Sequence, residues 1–426
     1  MDYRPRIADR ILKRKLEGKG AVLIRGPKWC GKTTTAEQAA SSALYLSDPA
    51  ARQQYTQLAS LNPALLLEGA VPRLLDEWQT APVLWDAVRY EVDHRRAPGQ
   101  FILTGSVSLP KGAASEEIQH TGTGRIARMV MRPMTLWESG ESNGSVSLSG
   151  LFDSPERVAG ISSLTLPEIA FLTCRGGWPA ALGLRKEVAL DQAFDYVDAV
   201  AEADISDSDS VRRDPQLVRR LLKSYARNQG TQVPYSTLRD DLAAGETNTL
   251  STDTVTSYLK ALSRIFVIED MPAWNPNLRS KTAIRTTDNR YFIDPSIATA
   301  ALGLGPDDLI SDLNTFGFVF ETLCARDLRV FAEAVDGEVF HYRDKDNLEC
   351  DAVIHLRDGR YGLVEVKLGG DKLIEEGCKS LLKLSAKIDT DRMKKPSFLM
   401  VLTAVGQYAF RRNDGVCVVP IGCLKD

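Results

Sequence analysis

Disulfide and zinc chemistry have little to work with in this chain. Its 426 residues include only seven cysteines, Cys30, Cys174, Cys324, Cys350, Cys378, Cys417 and Cys423, and no two form a CxxC pair. That scatter argues against a disulfide framework or a zinc site. Histidine is scarcer still. His94, His120, His341 and His355 are the four present, equally dispersed. No run of about 18 apolar residues suggests a membrane span. The stretch from Met1 to Lys19 is charged and lacks the apolar core of a signal peptide. A cytoplasmic location and no membrane partner are therefore expected. A basic excess is also missing. With 53 Lys and Arg against 56 Asp and Glu, the net charge is −3. This excludes a global electrostatic footprint for nucleic acid but leaves room for a local basic groove.

What is present is enough apolar residue, 43% of the chain, to bury several cores. At about 100–200 residues per domain, two to four domains are expected. The stretch Ala21–Thr35 reads AVLIRGPKWCGKTTT. Gly26 and Gly31 are separated by four residues, and Lys32 and Thr33 follow at once, the phosphate-cradling loop pattern. An apolar strand precedes it and a helix-like segment follows, as that pattern requires. Glycines let backbone N–H groups approach phosphates, and Lys32 reaches the β and γ phosphates. The Thr33 hydroxyl is suited to Mg²⁺, and the positive end of the following helix faces the anion. Gly26, Pro27, Gly31, Lys32, Thr33 and Thr34 are the expected nucleotide-binding set.

Leu74-Leu75-Asp76-Glu77 resembles the strand-end motif known as Walker B. Asp76 would help hold Mg²⁺, and Glu77 would polarise the attacking water. Phe101-Ile-Leu-Thr-Gly-Ser106 reads as a buried strand whose polar end lies beside the γ-phosphate. Many ATPases of this class carry Asn there. Here Thr104 is the expected sensor and Ser106 the alternative. Arg125 follows a glycine pair and suits an arginine finger, in cis or from a neighbouring subunit. An ordinary solvated arginine or a salt bridge is an equal reading, and Arg128 is the fallback.

RGPKWCGKTTTA, RLLDEWQ, FILTGS and TGTGRIARMVMRPMTLWE together resemble a bacterial and archaeal family of AAA-like ATPases. In that family the ATPase domain is fused to a conserved C-terminal domain of unknown function. The resemblance covers nearly the whole chain. It implies ATP and Mg²⁺ as cofactors, and supplies a fold and a nucleotide more readily than a substrate.

The fold expected is α/β and multidomain. Residues 1–140 would form an AAA-like P-loop parallel sheet, and 141–205 a linker and helical segment. Residues 206–290 would form a winged-helix-like module, and 291–426 a nuclease-like α/β domain. The Gly/Ser-rich run Glu138–Gly150 reads as loop or linker. The acidic, serine-rich run Asp204–Ser210 reads as a solvated loop. Three helical patterns, near 217–228, 233–242 and 251–262, precede a strand pattern at Ile265–Met271. That order resembles a winged helix-turn-helix, with Thr252–Arg264 in the recognition position. Only Lys260 and Arg264 give that helix positive charge, so a protein-contact or spacer role competes with DNA reading.

The C-terminal part carries a second constellation. A strong helix at 316–331 contains Glu321. Strands at 339–343, 350–356 and 361–368 follow, then a helix at 372–388 and a strand at 397–405. Side chains alternate along a strand, so Glu365 and Lys367 share one face, within reach of Asp351. The set resembles the PD-(D/E)xK nuclease fold. In such a site Asp351, Glu365 and Glu321 would ligate Mg²⁺, and Lys367 would orient water or stabilise the transition state. Arg343 would contact phosphate. The competing reading is an inactive descendant whose polar residues make a buried ion network.

Two functions follow. One is an ATP-dependent enzyme acting on nucleic acid, DNA more than RNA, as a possible homo-oligomer. The other is an ATP-driven regulatory switch that binds DNA or a protein partner and does not cut. A protein-remodelling ATPase is a weaker third reading, because no aromatic pore-loop motif is visible.

Overall fold

The computed structural model describes residues 3–106, 120–208, 211–243, 251–277, 279 and 283–426. Its contacts divide the chain into two units. The first runs to Arg132 and includes the short stretches 207–211 and 264–266. The second comprises the other residues from Pro133 to Asp426.

Helix α1 (Ile7–Gly18) opens the first unit. Ile7, Ala8, Ile11, Leu12 and Leu16 are buried while Arg10, Lys13 and Arg14 are exposed, the 3.6-residue periodicity of an amphipathic helix. Strand β1 (Ala21–Arg25) leads into the glycine loop and helix α2 (Lys32–Ala39). Then come β2 (Ser42–Tyr45), α3 (Arg52–Leu61), β3 (Arg73–Asp76), α4 (Leu84–Arg95), β4 (Phe101–Gly105) and β5 (Ile126–Val130). The five strands are parallel and lie in the order β2-β3-β4-β1-β5. Their near-continuous apolar runs, such as Phe101-Ile-Leu, are what a sheet covered on both faces demands. Strand β4 separates β1 from β3. Its carboxyl end therefore adjoins both the glycine loop and the Asp76–Glu77 pair.

The second unit begins where a linker was expected. Helix α5 (Leu136–Ser139), strand β6 (Val146–Ser147), helix α6 (Leu148–Asp153) and strand β7 (Ala159–Ile161) all lie within residues 136–161. The loop reading of Glu138–Gly150 holds for residues 140–145 and is corrected at either end, where 138–139 close α5 and 146–150 form β6 and the start of α6. Its small polar residues tie down chain ends instead of marking a flexible tether. Thr135 and Glu138 form a capping box, and Ser147 accepts from the Gly150 N–H. The Ser142 hydroxyl donates to the Leu424 carbonyl at 2.6 Å.

Helices α7 (Leu166–Arg175) and α8 (Lys186–Ala199) follow. A π-helical turn, Val200–Asp204, leads directly into α9 (Ile205–Asp207). The acidic run is therefore helical as far as Asp207, while residues 209–210 lie outside those described. Helices α10 (Pro215–Arg227), α11 (Tyr235–Ala243) and α12 (Thr252–Arg264) appear in the expected order. The strand expected at Ile265–Met271 is not a regular one. Phe266 has φ 60°, which breaks the extended run, and two isolated antiparallel bridges remain, Ile268–Phe292 and Met271–Asn289.

After α13 (Pro295–Leu302), α14 (Pro306–Ser311) and α15 (Leu313–Ala334) comes the second sheet. Its later elements are β8 (Gly337–Arg343), β9 (Glu349–Leu356), β10 (Tyr361–Lys367), α16 (Asp371–Lys387), β11 (Phe398–Thr403), β12 (Tyr408–Arg411) and β13 (Val416–Pro420). A last strand, β14 (Leu424–Lys425), pairs with β6. The seven-stranded sheet has the order β7-β12-β13-β11-β10-β9-β8. Strands β8, β9 and β10 form an antiparallel meander, and β10, β11 and β13 run parallel. Helix α16 makes the β10–β11 crossover, burying Cys378, Leu381 and Leu384 against Leu363 and Val401. The edge strand β7 comes from the segment expected to be a tether.

Candidate nucleotide site and a second ionic centre

Three backbone features build the glycine loop. Gly26 has φ 156° and Gly31 φ 95°, both suited to glycine, and Trp29 has φ 67° between them. A Cβ on Gly26 would lie 2.0 Å from the Met131 carbonyl oxygen, so no larger residue fits. The Lys32 ammonium is buried and donates to the carbonyls of Gly26 at 3.1 Å and Pro27 at 2.7 Å. Thr33, in the first turn of α2, donates from Oγ1 to Asp76 Oδ1 at 2.8 Å. Thr104 at the end of β4 donates to that same oxygen at 2.5 Å. Two of the expected residues, Thr33 and Thr104, therefore meet at one carboxylate oxygen of a third, Asp76. Thr34 lies exposed on the first turn of α2, with its side chain outside this cluster.

Glu77 follows Asp76 in a left-handed conformation, φ 53° and ψ 45°. Its carboxylate accepts from the Gln79 side-chain amide and, at 3.4 Å, from the Ser106 hydroxyl. Sequence reasoning does not single out Gln79. Its only available signal is its place two residues beyond the acidic pair. Thr104 and Ser106, expected as alternatives, each hold one of the two carboxylates. Thr104 contacts Asp76 and Ser106 contacts Glu77.

Arg125 is placed elsewhere. It precedes β5, whose Ile126 pairs with Ala21 at the start of β1, whereas the glycine loop follows the other end of β1. A five-residue strand spans roughly 16 Å. The Arg125 guanidinium donates to Asp93 at 2.8 Å. The in-cis arginine-finger expectation is thus corrected: the parallel register puts this residue at the amino-terminal edge of the sheet. Arg128 lies exposed on β5, donating to the Thr121 carbonyl and stacking 5.7 Å from the Trp85 ring.

The second unit brings its polar constellation together around one lysine. The β9–β10 register aligns Asp351 and Glu365 on one face, as the alternation predicts. Lys367 Nζ donates to Glu365 Oε2 at 2.8 Å and lies 3.7 Å from Asp351 Oδ2. Asp351 also accepts the Val366 N–H at 2.7 Å, and Ser380 from α16 donates to Glu365 at 3.2 Å. Glu321 on α15 accepts from the Tyr291 hydroxyl. Burial first, then the nearby Asp351 charge, pushes the Glu365 and Glu321 carboxyls well above the usual range. Lys367 moves the other way from a desolvated amine. Asp351 and Glu365 outweigh burial and hold it charged. Arg343 pairs with Glu349 at 2.9 Å.

Among the described residues, no three His, Cys, Asp or Glu side chains form a group that could hold a metal ion. The expected set of Glu321, Asp351 and Glu365 is therefore not a ready cage. The Lys367 ammonium satisfies two of the carboxylates, and Glu321 is engaged by Tyr291. As arranged, Asp351 and Glu365 are turned toward the Lys367 ammonium and Glu321 toward the Tyr291 hydroxyl rather than toward a shared centre.

Residues 18–139 match the family described as an AAA domain. This match covers the glycine loop, Asp76–Glu77 and β4. The first unit is thus P-loop ATPase-like. Residues 167–308 match a domain of unknown function (DUF8612), and residues 316–424 match another (DUF4143). The first of these runs across the boundary expected at 205. An uncharacterized protein of Mycobacterium tuberculosis is 25% identical over 419 residues, spanning 96% of this chain and 82% of the relative. An uncharacterized protein of Mycobacterium bovis matches to the same extent. Among solved structures, a Walker-type ATPase of Pyrococcus abyssi is similar at 15% identity. That match has a TM-score of 0.43 and covers 70% of this chain and 99% of the other. The ADP form of the Aeropyrum pernix ORC2 protein is similar at 14% identity, with a TM-score of 0.26 and 76% and 96% coverage. No described helix is long and apolar enough to cross a membrane.

Proposed function

We propose that this chain binds and hydrolyses ATP at the glycine loop and uses the cycle to switch its second unit. The supporting observation is the meeting of Thr33 and Thr104 on Asp76 Oδ1, beside Lys32 and Glu77. Oxygen donors of this kind fit Mg²⁺, with Thr33 and Asp76 as the residues to hold it. When bound, that ion polarises the phosphoryl oxygens and neutralises developing charge. Lys32 leaves the Gly26 and Pro27 carbonyls to pair with the phosphates. Glu77, released from Gln79, orients the attacking water and accepts its proton. Lys32→Ala abolishes ATP binding, and Glu77→Gln keeps binding while lowering turnover by about 10²–10⁴-fold. Unchanged turnover in both variants, measured by phosphate release, sinks the assignment.

For the second unit, the bridging of Asp351 and Glu365 by Lys367 favours a switch that engages DNA or a protein partner without cutting. The competing reading is an ATP-coupled, Mg²⁺-dependent nuclease that acts on nucleic acid, DNA more than RNA. Incubation of the full chain with DNA or RNA, ATP and Mg²⁺ or Mn²⁺ decides between them. Cleavage that Glu365→Ala and Lys367→Ala both abolish establishes the nuclease. No cleavage by the wild type, with DNA still retained in a binding assay, supports the DNA-binding switch.

A further inference from the structure

The segment ahead of α1 makes contacts that the nucleotide chemistry above does not use. Arg6 is buried, yet its guanidinium reaches two backbone carbonyls. Nη1 donates to Cys30 O at 3.0 Å, inside the glycine loop, and Nη2 to Arg132 O at 2.9 Å, just beyond β5. The Arg6 N–H donates in turn to Asp9 Oδ2 at 2.7 Å. Tyr3 donates its hydroxyl to Asp9 Oδ1 at 2.5 Å and lies 3.1 Å from Thr35 Oγ1 on the first turn of α2. Residues 3–9 therefore hold the loop at Cys30 and the helix behind it at Thr35.

The consequence follows from peptide geometry. A trans peptide is planar, with its C=O and N–H pointing in opposite directions. Fixing the Cys30 carbonyl toward Arg6 sends the Gly31 N–H the other way. Gly31, with φ 95°, is the residue whose N–H must face the anion if the loop is to cradle phosphate. Left free, a loop of this glycine content would populate other peptide orientations, and binding would have to select the competent one. Cys30 supports the same arrangement from its side chain, whose Sγ lies 3.4 Å from the Met131 carbonyl.

We propose that Arg6 is a positioning residue for nucleotide binding, and that the Tyr3–Asp9 pair holds it in place. It orients the Cys30–Gly31 peptide so that the loop is preorganised for the phosphates of ATP. This rests on the glycine loop being the ATP site. Arg6 touches no reacting atom, so its loss raises the dissociation constant more than it slows the chemical step.

The test uses the full chain and Mg²⁺-ATP, with binding measured by calorimetry and turnover by phosphate release. Arg6→Gln is expected to weaken ATP binding by about tenfold, the effect of losing a charge-assisted hydrogen bond. Its kcat at saturating ATP should stay within about threefold, the split expected when preorganisation rather than chemistry is lost. Millimolar guanidinium should restore part of the affinity in Arg6→Gln and none in Lys32→Ala. Tyr3→Phe should shift affinity in the same direction by less. If Arg6→Gln does not fold, Arg6→Lys carries the test, since it keeps the charge but can serve only one carbonyl well. A folded Arg6 variant with wild-type ATP affinity overturns the proposal while leaving the P-loop reading intact. A wild type that binds no ATP overturns both.

Discussion

At the scale of single residues, the informative feature is how many groups converge on Asp76. Two hydroxyls from different elements fix one carboxylate oxygen, so the carboxylate is oriented before any ligand arrives. Thr104→Val removes one of them at nearly constant volume and leaves Thr33. Turnover should fall about tenfold or more, the order expected when a positioned group drifts by a fraction of an ångström. Steady-state kinetics check this, and an unchanged kcat would show that Thr33 alone suffices. The glycines, Lys32 and the acidic pair were legible in the sequence because their chemistry requires fixed spacing. The roles of Arg6 and Gln79 were not, because both depend on contacts that no local pattern encodes.

A second residue-scale prediction concerns His341 in β8. It is buried, and burial pushes its imidazole down to about 4, with the ring nitrogen Nε2 3.0 Å from the Thr287 carbonyl. In the unfolded chain it titrates near 6.5. Between those values the unfolded state binds a proton that the folded state refuses. Stability therefore falls as pH drops from about 6.5 toward 4, by at most about 3 kcal/mol from this group. Urea unfolding at several pH values should show a shallower acid slope in His341→Gln than in the wild type. Equal slopes would mean that His341 takes up its proton in the fold as readily as in the unfolded chain.

At the scale of elements, periodicity located most helices and strands, failed at Ile265–Met271 where Phe266 turns the chain, and said little about what connects them. Helix α15 and strands β8 to β11 all appear within a few residues of where their patterns put them. The run from Glu138 to Gly150 misled because Ser and Thr serve caps as well as linkers. The Arg175-Gly-Gly-Trp-Pro179 turn shows how a connection can become a core element. The Gly177 N–H donates to Asp294 at 3.0 Å, Arg326 reaches the same carboxylate at 2.9 Å, and Trp178 donates to Ser296 at 2.9 Å. Asp327, beside Arg326, accepts the Leu136 N–H at 3.0 Å. This buried network joins α5, the turn, α13 and α15. A Cβ on Gly177 would sit 2.1 Å from the Met134 carbonyl oxygen, which is backbone and has little freedom to yield. Gly177→Ala should destabilise the second unit by about 1–3 kcal/mol, read as a lower urea midpoint at unchanged slope. A midpoint equal to wild type would show that the turn can shift without cost.

At the scale of the whole molecule, sequence reading divides the chain where composition changes, and folding divides it where cores close. Composition marks the run after residue 140 as a tether, so a C-terminal domain cut at 291 looks self-contained. The sheet says otherwise. Its edge strand β7 and the β6–β14 pair both draw on residues 146–161, and Arg360 on the loop before β10 pairs with Asp153 at 2.7 Å. Removing that segment bares the β12 edge, with Tyr408 and Phe410 already exposed beside it. It also removes the apolar partners Phe152 and Leu148, and Phe152 stacks edge-on against Phe398 at 5.0 Å. A fragment comprising residues 291–426 should therefore aggregate or melt without a cooperative transition. One comprising 133–426 keeps every strand of its sheet, and should unfold cooperatively by circular dichroism. A soluble, cooperatively folded 291–426 fragment would mean that β7 only decorates the sheet and that the separate β6–β14 pair is dispensable.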